Sequence, residues 1–437
     1  MADWTADSNQ ALSLSFVRST ADSQVLAEGE SYSNFHPAFT YPLYGEDETI
    51  YGYKDLAIDL RFSSGSLVQY LNVKYSEKLP STTVDDVEGI LADFIPPGFL
   101  RDEATFLQQV ETDAESFRPH GELVDSYTRP SPQAISRSKG KSTGIGIGEL
   151  KSEDTIEYEV YHSTWDTPGF KEYHRRLQLL VLLYIEGGSY INDDEDSWEF
   201  MVLYEKRKRK APSAISTYHL VGYSSLYNFY HFPEKVRMRL SQFIIIPPYQ
   251  RHGHGSELFQ AIYRHVLSRS DIAELTVEDP AEAFEDLRDK NDLHMLTSNQ
   301  KFMEEAFGSQ AVSHGGGRVG GIGRAGRSGR GGNGTSRTAG KLGPPVDKTW
   351  AEKWRRDLKI AGRQFQRLIE MLMLSRLNLS NPRIFKAYRL QVKERLYRFN
   401  YEVLVQLDKT ERLEKLEETF QSVQNDYHRI LKFAGCI

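Results

Sequence analysis

Apolar positions along the chain fall into two periods, and the change between them sets the expected architecture. Alternation over Ala11–Val17, and then over Leu56–Phe62 and Leu67–Tyr75 around the turn Ser63-Ser64-Gly65, predicts strands. Phe170–Glu186 instead places Tyr173, Leu177, Leu180 and Tyr184 on one helical face. Two further strands are predicted at Trp198–Tyr204 and His219–Phe229, and a third, more apolar, at Leu240–Ile246, which Pro247-Pro248 ends. Ser256–Leu267 then reads as a helix with Leu258, Ile262 and Val266 in a row, followed by a short strand, Glu274–Val277. From Thr349 onward the period is helical, broken near Asn381-Pro382. Strands interleaved with helices, then helices alone, predict an α/β body followed by a helical region.

Two stretches have no such period. Ser131–Lys151 is rich in Ser, Gly, Lys and Pro and reads as a long surface loop. Residues 313–345 hold 13 of the 33 glycines and no acidic residue, so no core is expected there to offset the entropy of ordering them. Charge divides at the same place. Residues 1–312 carry 29 Lys+Arg against 49 Asp+Glu, and residues 313–437 carry 25 against 12. An acidic body attracts cationic partners and repels nucleic acid, and on charge alone an aid to solubility is the plainer reading. No apolar run reaches the roughly 18 residues of a membrane span, and the acidic start MADWTADSNQ is neither a signal nor a transit peptide. Cys436 is the only cysteine, which excludes an internal disulfide and points to a reducing compartment, cytosol or nucleus.

The chemistry concentrates between the last long strand and its helix. Gln250-Arg251-His252-Gly253-His254-Gly255 joins them. A strand, a glycine turn and a helix N-terminus together direct backbone N–H groups at a pyrophosphate, and glycine lets the backbone come close. The spacing is neither G-x-G-x-x-G nor G-x-x-x-x-G-K. It is similar to the acyl-CoA loop of GCN5-related N-acetyltransferases. With SQFIIIPPYQRHGHGSELFQAIY (241–263), LTVEDPAEAFEDLR (275–288), GEDETIYGYKDL (45–56), DDVEGILADFIPPGF (85–99), FKEYHRRLQ (170–178) and VGYSSLYNFY (221–230), it resembles the catalytic subunits of type B histone acetyltransferases. The likeness is strong over roughly residues 40–300 and weaker elsewhere.

That resemblance implies a GNAT-type α/β (α+β) fold with a mixed, mostly antiparallel sheet, an N-terminal α/β domain and a C-terminal helical domain. The expected divisions are a variable segment 1–35, an α/β domain 36–165, the acetyltransferase domain 166–312, the Gly/Arg linker 313–345 and helices 346–437. It implies acetyl-CoA as co-substrate, held by the main chain of Phe243, Ile244 and Ile245 and by Gln250, Arg251, His252, Gly253, His254, Gly255 and Ser256, with Ala283 flanking. Glu278 would be the general base, with Asp279 beside it and Glu186 as a third carboxylate. An arriving lysine is protonated at neutral pH, so a base is needed. A solvated strand end is the plainer reading of Glu278, and a helix C-terminus before Gly187-Gly188 that of Glu186.

The implied substrate is the tail of newly made histone four, with Glu46, Asp47 and Glu48 pairing its cations and Tyr227, Asn228 and Phe229 lining its groove. A solvated turn and ordinary strand packing are the plainer readings of those two patches. A WD-repeat histone chaperone is the implied partner, and cytoplasm and nucleus the implied location. No metal is expected: His252 and His254 lie in a glycine turn without a third ligand. With no cysteine near Gln250–Gly255 or Glu278, direct attack of the amine on the thioester is the mechanism left. Two other readings are an acetyltransferase for another basic protein or a polyamine, and a nucleic-acid or chromatin scaffold using the Gly-Arg tract. That tract lacks the aromatics that stack bases, so direct nucleic-acid binding is not expected. Lys206–Lys210 reads equally as a nuclear-import run or a charged hairpin tip.

Overall fold

The computed structural model describes residues 4–132, 134, 154–209, 215–308, 340–376 and 380–437. Most of the Ser131–Lys151 loop, residue 210 and most of the Gly/Arg tract lie outside them. Among the described residues no helix is long and apolar enough to cross a membrane. The chain forms two compact units, Met1–Asp271 with Val277–Asp279, and Ile272–Thr276 with Pro280–Ile437.

The first unit contains a small mixed sheet and a larger antiparallel one. In the small sheet β1 (Leu12–Val17) runs parallel to β2 (Ala57–Ser63), which pairs antiparallel with β3 (Gln69–Lys74). Leu12, Leu14, Ile58, Leu60 and Phe62 are inaccessible to solvent. The expected boundary at residue 35 therefore does not separate two bodies, because β1 is paired inside the sheet that follows it. Likewise, residues 36–165 and 166–271 fall in one unit. The larger sheet is an antiparallel run of β4 (Glu122–Pro130), β5 (Thr155–Thr164), β6 (Trp198–Lys208), β7 (Ser216–His231) and β8 (Lys235–Ile245). Its long strands outrun the sequence expectation because the polar ends of β6 and β7 pair with each other to Lys208 and Ser216.

Helix α1 (Phe170–Tyr184) buries Tyr173, Leu177 and Leu180 as the periodicity requires. It stops two residues short of Glu186, and Gly187 takes φ +68°. Helix α2 (His254–Ser268) buries Leu258, Ile262 and Val266.

Much of the basic run at the end of β6 is paired, while Lys208 is exposed and Lys210 lies outside the described residues. Lys206 donates to Glu159 at 2.6 Å, Arg207 pairs with Glu30 and Glu205, and Arg209 reaches Asp22 at 2.9 Å. Its partners come from distant segments, so the charge run is mostly neutralised within the unit.

Three buried imidazoles give this unit an acid-sensitive fold. Burial holds His174 and His219 down to about 3, and burial with the Arg129 charge holds His254 to about 4. An unfolded histidine titrates near 6.5, so the unfolded chain binds more protons below that pH. Stability is therefore fully present above about 6.5 and is lost as pH falls toward 3. Each buried imidazole should contribute a slope of about 1.4 kcal/mol per pH unit in that window. Urea denaturation at pH 7, 6 and 5 checks this; an unchanged midpoint would contradict it.

The second unit is helical as expected after residue 346. Strand β9 (Ile272–Val277) and α3 (Glu282–Ser298) precede α4 (Lys348–Asp357), α5 (Gly362–Arg376), α6 (Pro382–Phe399) and α7 (Lys409–Phe433). Two of its buried carboxylates are paired with arginines. Asp289 takes Arg367 at 2.7 Å and Gln364 at 2.8 Å, while Glu370 holds Arg395 and the Tyr427 hydroxyl at 2.9 and 2.8 Å.

Candidate active site

The chain leaves β8 through a single 3-10 turn, Pro247–Tyr249, and enters α2 at His254. Gly253 is the N-cap, at φ +86°, and Arg251 takes φ +63°. Both conformations curl the backbone into a concave turn, and α2 has no side-chain cap. Its first turn thus lies at the positive end of the helix dipole, where an anion is favoured. A Cβ on Gly253 would come within 3.0 Å of Arg129 Nη2, whose guanidinium is itself held by Glu257 at 2.9 Å. A backbone cradle with a nearby guanidinium fits a diphosphate. Gln250 closes the turn by donating from Nε2 to the Ile245 carbonyl at 2.8 Å. Gln250, Arg251 and His252 are exposed, and Gly255 and Ser256 lie in the first turn of α2.

His254 differs from the expectation of a loop residue. Its imidazole is 4% exposed, bonds the Tyr127 hydroxyl at 2.7 Å and packs on Tyr158. Only its main chain belongs to the turn, and the helix begins two residues earlier than the sequence predicts.

One irregularity in β8 organises the rest. Ser225 faces Gln242 while Leu226 faces Leu240, so Ser241 is an extra residue, a β-bulge. Beyond it, the Ile246 N–H bonds Val221 of the β7 side at 3.0 Å. By the antiparallel alternation, the main-chain groups of Phe243 and Ile245 point away from β7, and those of Ile244 point toward it. The Ile244 side chain is buried, and those of Phe243 and Ile245 are half-buried.

The bulge also holds the carboxylate. The Glu278 N–H donates to the Leu240 carbonyl at 2.9 Å, and the Val236 N–H donates to the Asp271 carbonyl at 2.9 Å. The chain through Asp271 and Glu278 therefore runs in the direction of β8. Ser241 Oγ donates to Glu278 Oε2 at 2.6 Å, and Arg239 lies 3.6 Å from Oε1. The guanidinium of Arg239 sits over the Phe229 ring at 4.3 Å, Phe229 packs on Tyr227 at 4.6 Å, and Tyr227 packs on Trp198 at 4.8 Å. An exposed carboxylate is thus continuous with an aromatic, cation-bearing face. Ser241, Arg239 and Trp198 are the members that sequence reasoning missed.

The other expected residues distribute unevenly. Asp279 is exposed beside Glu278, at φ +31°. Glu186 is exposed after α1, where the Gly187 N–H bonds the Tyr41 hydroxyl at 2.7 Å. Three residues on, the Ser189 carbonyl accepts from Gln242 at 2.8 Å, which brings this segment to the residue after the bulge. Ala283 is exposed in the first turn of α3, in the second unit.

Glu46 and Asp47 are exposed, but Glu48 is engaged. Its Oε1 accepts the N–H groups of Thr40 and Tyr41 at 2.7 and 3.1 Å, and its Oε2 accepts Asn9 at 2.7 Å, bonds that hold its pKa below the ordinary range. Both oxygens hold the turn together, which leaves the open acidic patch to its two neighbours. Asn228 likewise departs from the expected groove. It lies on the opposite sheet face from Tyr227 and Phe229 and donates to Glu199 at 2.5 Å.

Beneath the turn runs a buried polar network. Arg18 donates to Glu205 at 2.9 Å and to the Tyr249 hydroxyl at 2.7 Å, and Tyr249 donates to Glu205 at 2.8 Å. Burial opposes ionisation of Glu205, but the Arg18 and Arg207 charges outweigh it and hold the carboxyl below its ordinary range. The network fixes the last residue before Gln250.

Comparison with known proteins agrees with this geometry. Residues 163–284 match the acetyltransferase (GNAT) family, residues 4–186 match the histone acetyl transferase HAT1 N-terminus, and residues 336–378 match the fungal HAT1 C-terminal family. Fold and loop together define a GNAT acetyltransferase. A histone acetyltransferase type B catalytic subunit of Cryptococcus neoformans var. neoformans serotype D is 48% identical over 99% of this chain and 98% of that protein. Those of Mycosarcoma maydis and Candida albicans are 42% and 33% identical, over 94% and 98% of this chain and 86% and 90% of theirs. The chain belongs to the family of type B histone acetyltransferase catalytic subunits.

Proposed function

We propose that this protein transfers acetyl from acetyl-CoA to lysine ε-amines in the N-terminal tail of newly made, free histone four, with Glu278 as general base. The observation that carries this is the Glu278 carboxylate itself, held at a strand end by Ser241 and Arg239 and continuous with Phe229 and Tyr227. Bound acetyl-CoA supplies the activated acyl group. Glu278 takes the ammonium proton, directly or through one water, and frees the nitrogen for attack. Ser241 orients Oε2, and Arg239 lies beside Oε1. The aromatic face offers the stem of a lysine an apolar wall. Glu46 and Asp47, in a body of strong negative charge, favour a cationic tail. Asp279 and Glu186 stand as supporting carboxylates. A WD-repeat chaperone as partner and residence in cytosol and nucleus accompany this reading.

Histone four incubated with the purified protein and acetyl-CoA should gain acetyl-lysine in its tail by mass spectrometry. Faster acetylation of spermidine or of an unrelated basic peptide would favour the wider-substrate alternative. Gly253→Ala should cost about 1–3 kcal/mol of backbone strain in the bound turn, read as a roughly 5- to 150-fold loss of acetyl-CoA affinity by calorimetry. Wild-type affinity in that variant would remove the turn from the cofactor site.

A further inference from the structure

On the sheet face opposite Tyr227 and Phe229, three side chains of ligand type converge. His162 (β5) Nε2 lies 2.8 Å from Glu199 (β6) Oε2, and His265 (α2) Nε2 lies 3.4 Å from the same oxygen. The three ligand atoms all lie within 4.8 Å of one another, and the two imidazoles stack at 4.6 Å. Among the described residues, His265 Nε2 is buried and has no hydrogen bond. The other oxygen of Glu199 is occupied differently. Oε1 accepts from Arg269 Nη1 and Asn228 Nδ2, both at 2.5 Å.

An ordinary ion-pair cluster accounts for Arg269 and Asn228, and for His265 only through a 3.4 Å contact with Glu199 that makes no hydrogen bond. A metal site accounts for all three. Two imidazole nitrogens and one carboxylate oxygen are a common three-ligand set for zinc, whose ligand atoms stand roughly 3.3–3.5 Å apart. The non-ligating oxygen of a coordinating carboxylate is usually held by hydrogen bonds, as Arg269 and Asn228 hold Oε1. Two imidazoles select borderline transition ions over Mg²⁺ or Ca²⁺, which take oxygen. Charge permits it: Arg269 bridges Glu199 and Asp271, so the group sums to one negative charge before an ion enters.

We propose that His162, Glu199 and His265 bind one zinc-class divalent cation, with water in the fourth position. The ion would fasten the C-terminal half of α2, whose N-terminus forms the anion turn, to β5 and β6. It faces away from Glu278 and takes no part in acetyl transfer.

Full-length protein freed of metal with a chelator should take up one Zn²⁺ per chain by calorimetry, and Co²⁺ in its place should give the intense visible bands of a tetrahedral centre. His162→Gln and His265→Gln should each lower Zn²⁺ affinity at least 100-fold. Asn228→Ala should lower it about 10–100-fold, and His428→Gln, on an exposed position of α7, should leave it unchanged. Zn²⁺ should raise the melting temperature of the wild type and not of His265→Gln. No uptake by folded wild-type protein, an octahedral Co²⁺ spectrum, or uptake equal in wild type and both histidine variants would overturn the site.

Discussion

Glu278→Gln should lower the rate of acetyl transfer to a histone-four tail peptide about 10²-fold or more, with acetyl-CoA affinity unchanged. The amide keeps the size of the side chain and can still accept from Ser241 Oγ, so the strand end stays in place. It cannot take a proton. The loss should fall on kcat rather than on the KM for acetyl-CoA, because Glu278 lies apart from the Gly253 turn in chain and chemistry. Raising the pH, which supplies neutral lysine from solution, should recover part of the rate in the variant. Steady-state kinetics from pH 7 to 9.5 measure both effects. Full activity at pH 7 would remove Glu278 from the base role, and an equal loss in acetyl-CoA affinity would reassign it to binding.

Glu205→Gln should destabilise the protein by roughly 3–5 kcal/mol. Glu205 is 1% exposed, and Arg18, Arg207 and Tyr249 all converge on it. Removing its charge leaves the Arg18 guanidinium without its counter-charge, while Arg207 keeps Glu30, and the side chain of Arg18 is only 2% exposed. The cost of an unpaired buried charge exceeds what the pair contributes over an apolar replacement, so the single variant is worse than a paired one. Arg18→Met with Glu205→Met should recover part of the loss. Because Tyr249 shares the network, acetyl-CoA affinity should fall with stability in the single variant. Urea denaturation and calorimetry on the same preparations test both; a loss below about 1 kcal/mol would show that water reaches the pair.

The parts of this protein legible in its sequence are those whose signal is local. The turn at Gln250–Gly255 could be read because strand, prolines, glycines and helix are consecutive. The face of α1 could be read because Tyr173, Leu177 and Leu180 recur at helical spacing. The start of α2 was misplaced because Gly253 and Gly255 both read as loop, whereas Gly253 caps the helix and Gly255 lies inside it. Signals that depend on distant partners could not be read. Glu48 looks like open acid until Asn9, Thr40 and Tyr41 are seen around it. The run from Lys206 looks free until Glu30, Glu157 and Glu159 meet it. Asn228 lies between two groove residues in sequence, yet strand alternation turns it to the other face. His162, Glu199 and His265 share no spacing motif, since two strands and a helix bring them together.

The extra residue at Ser241 has a consequence for how this hairpin can vary. Everything after it is shifted by one position relative to its partner strand, and that shift turns the main-chain groups of Phe243 and Ile245 away from β7 and sets Ser241 against Glu278. Deleting one residue between the hairpin tip and position 241 would undo the offset and turn each later side chain to the opposite face. The number of residues in that interval should therefore be invariant among working relatives, while the tip itself, with Tyr230 and Phe232 largely in solvent, is free to change identity.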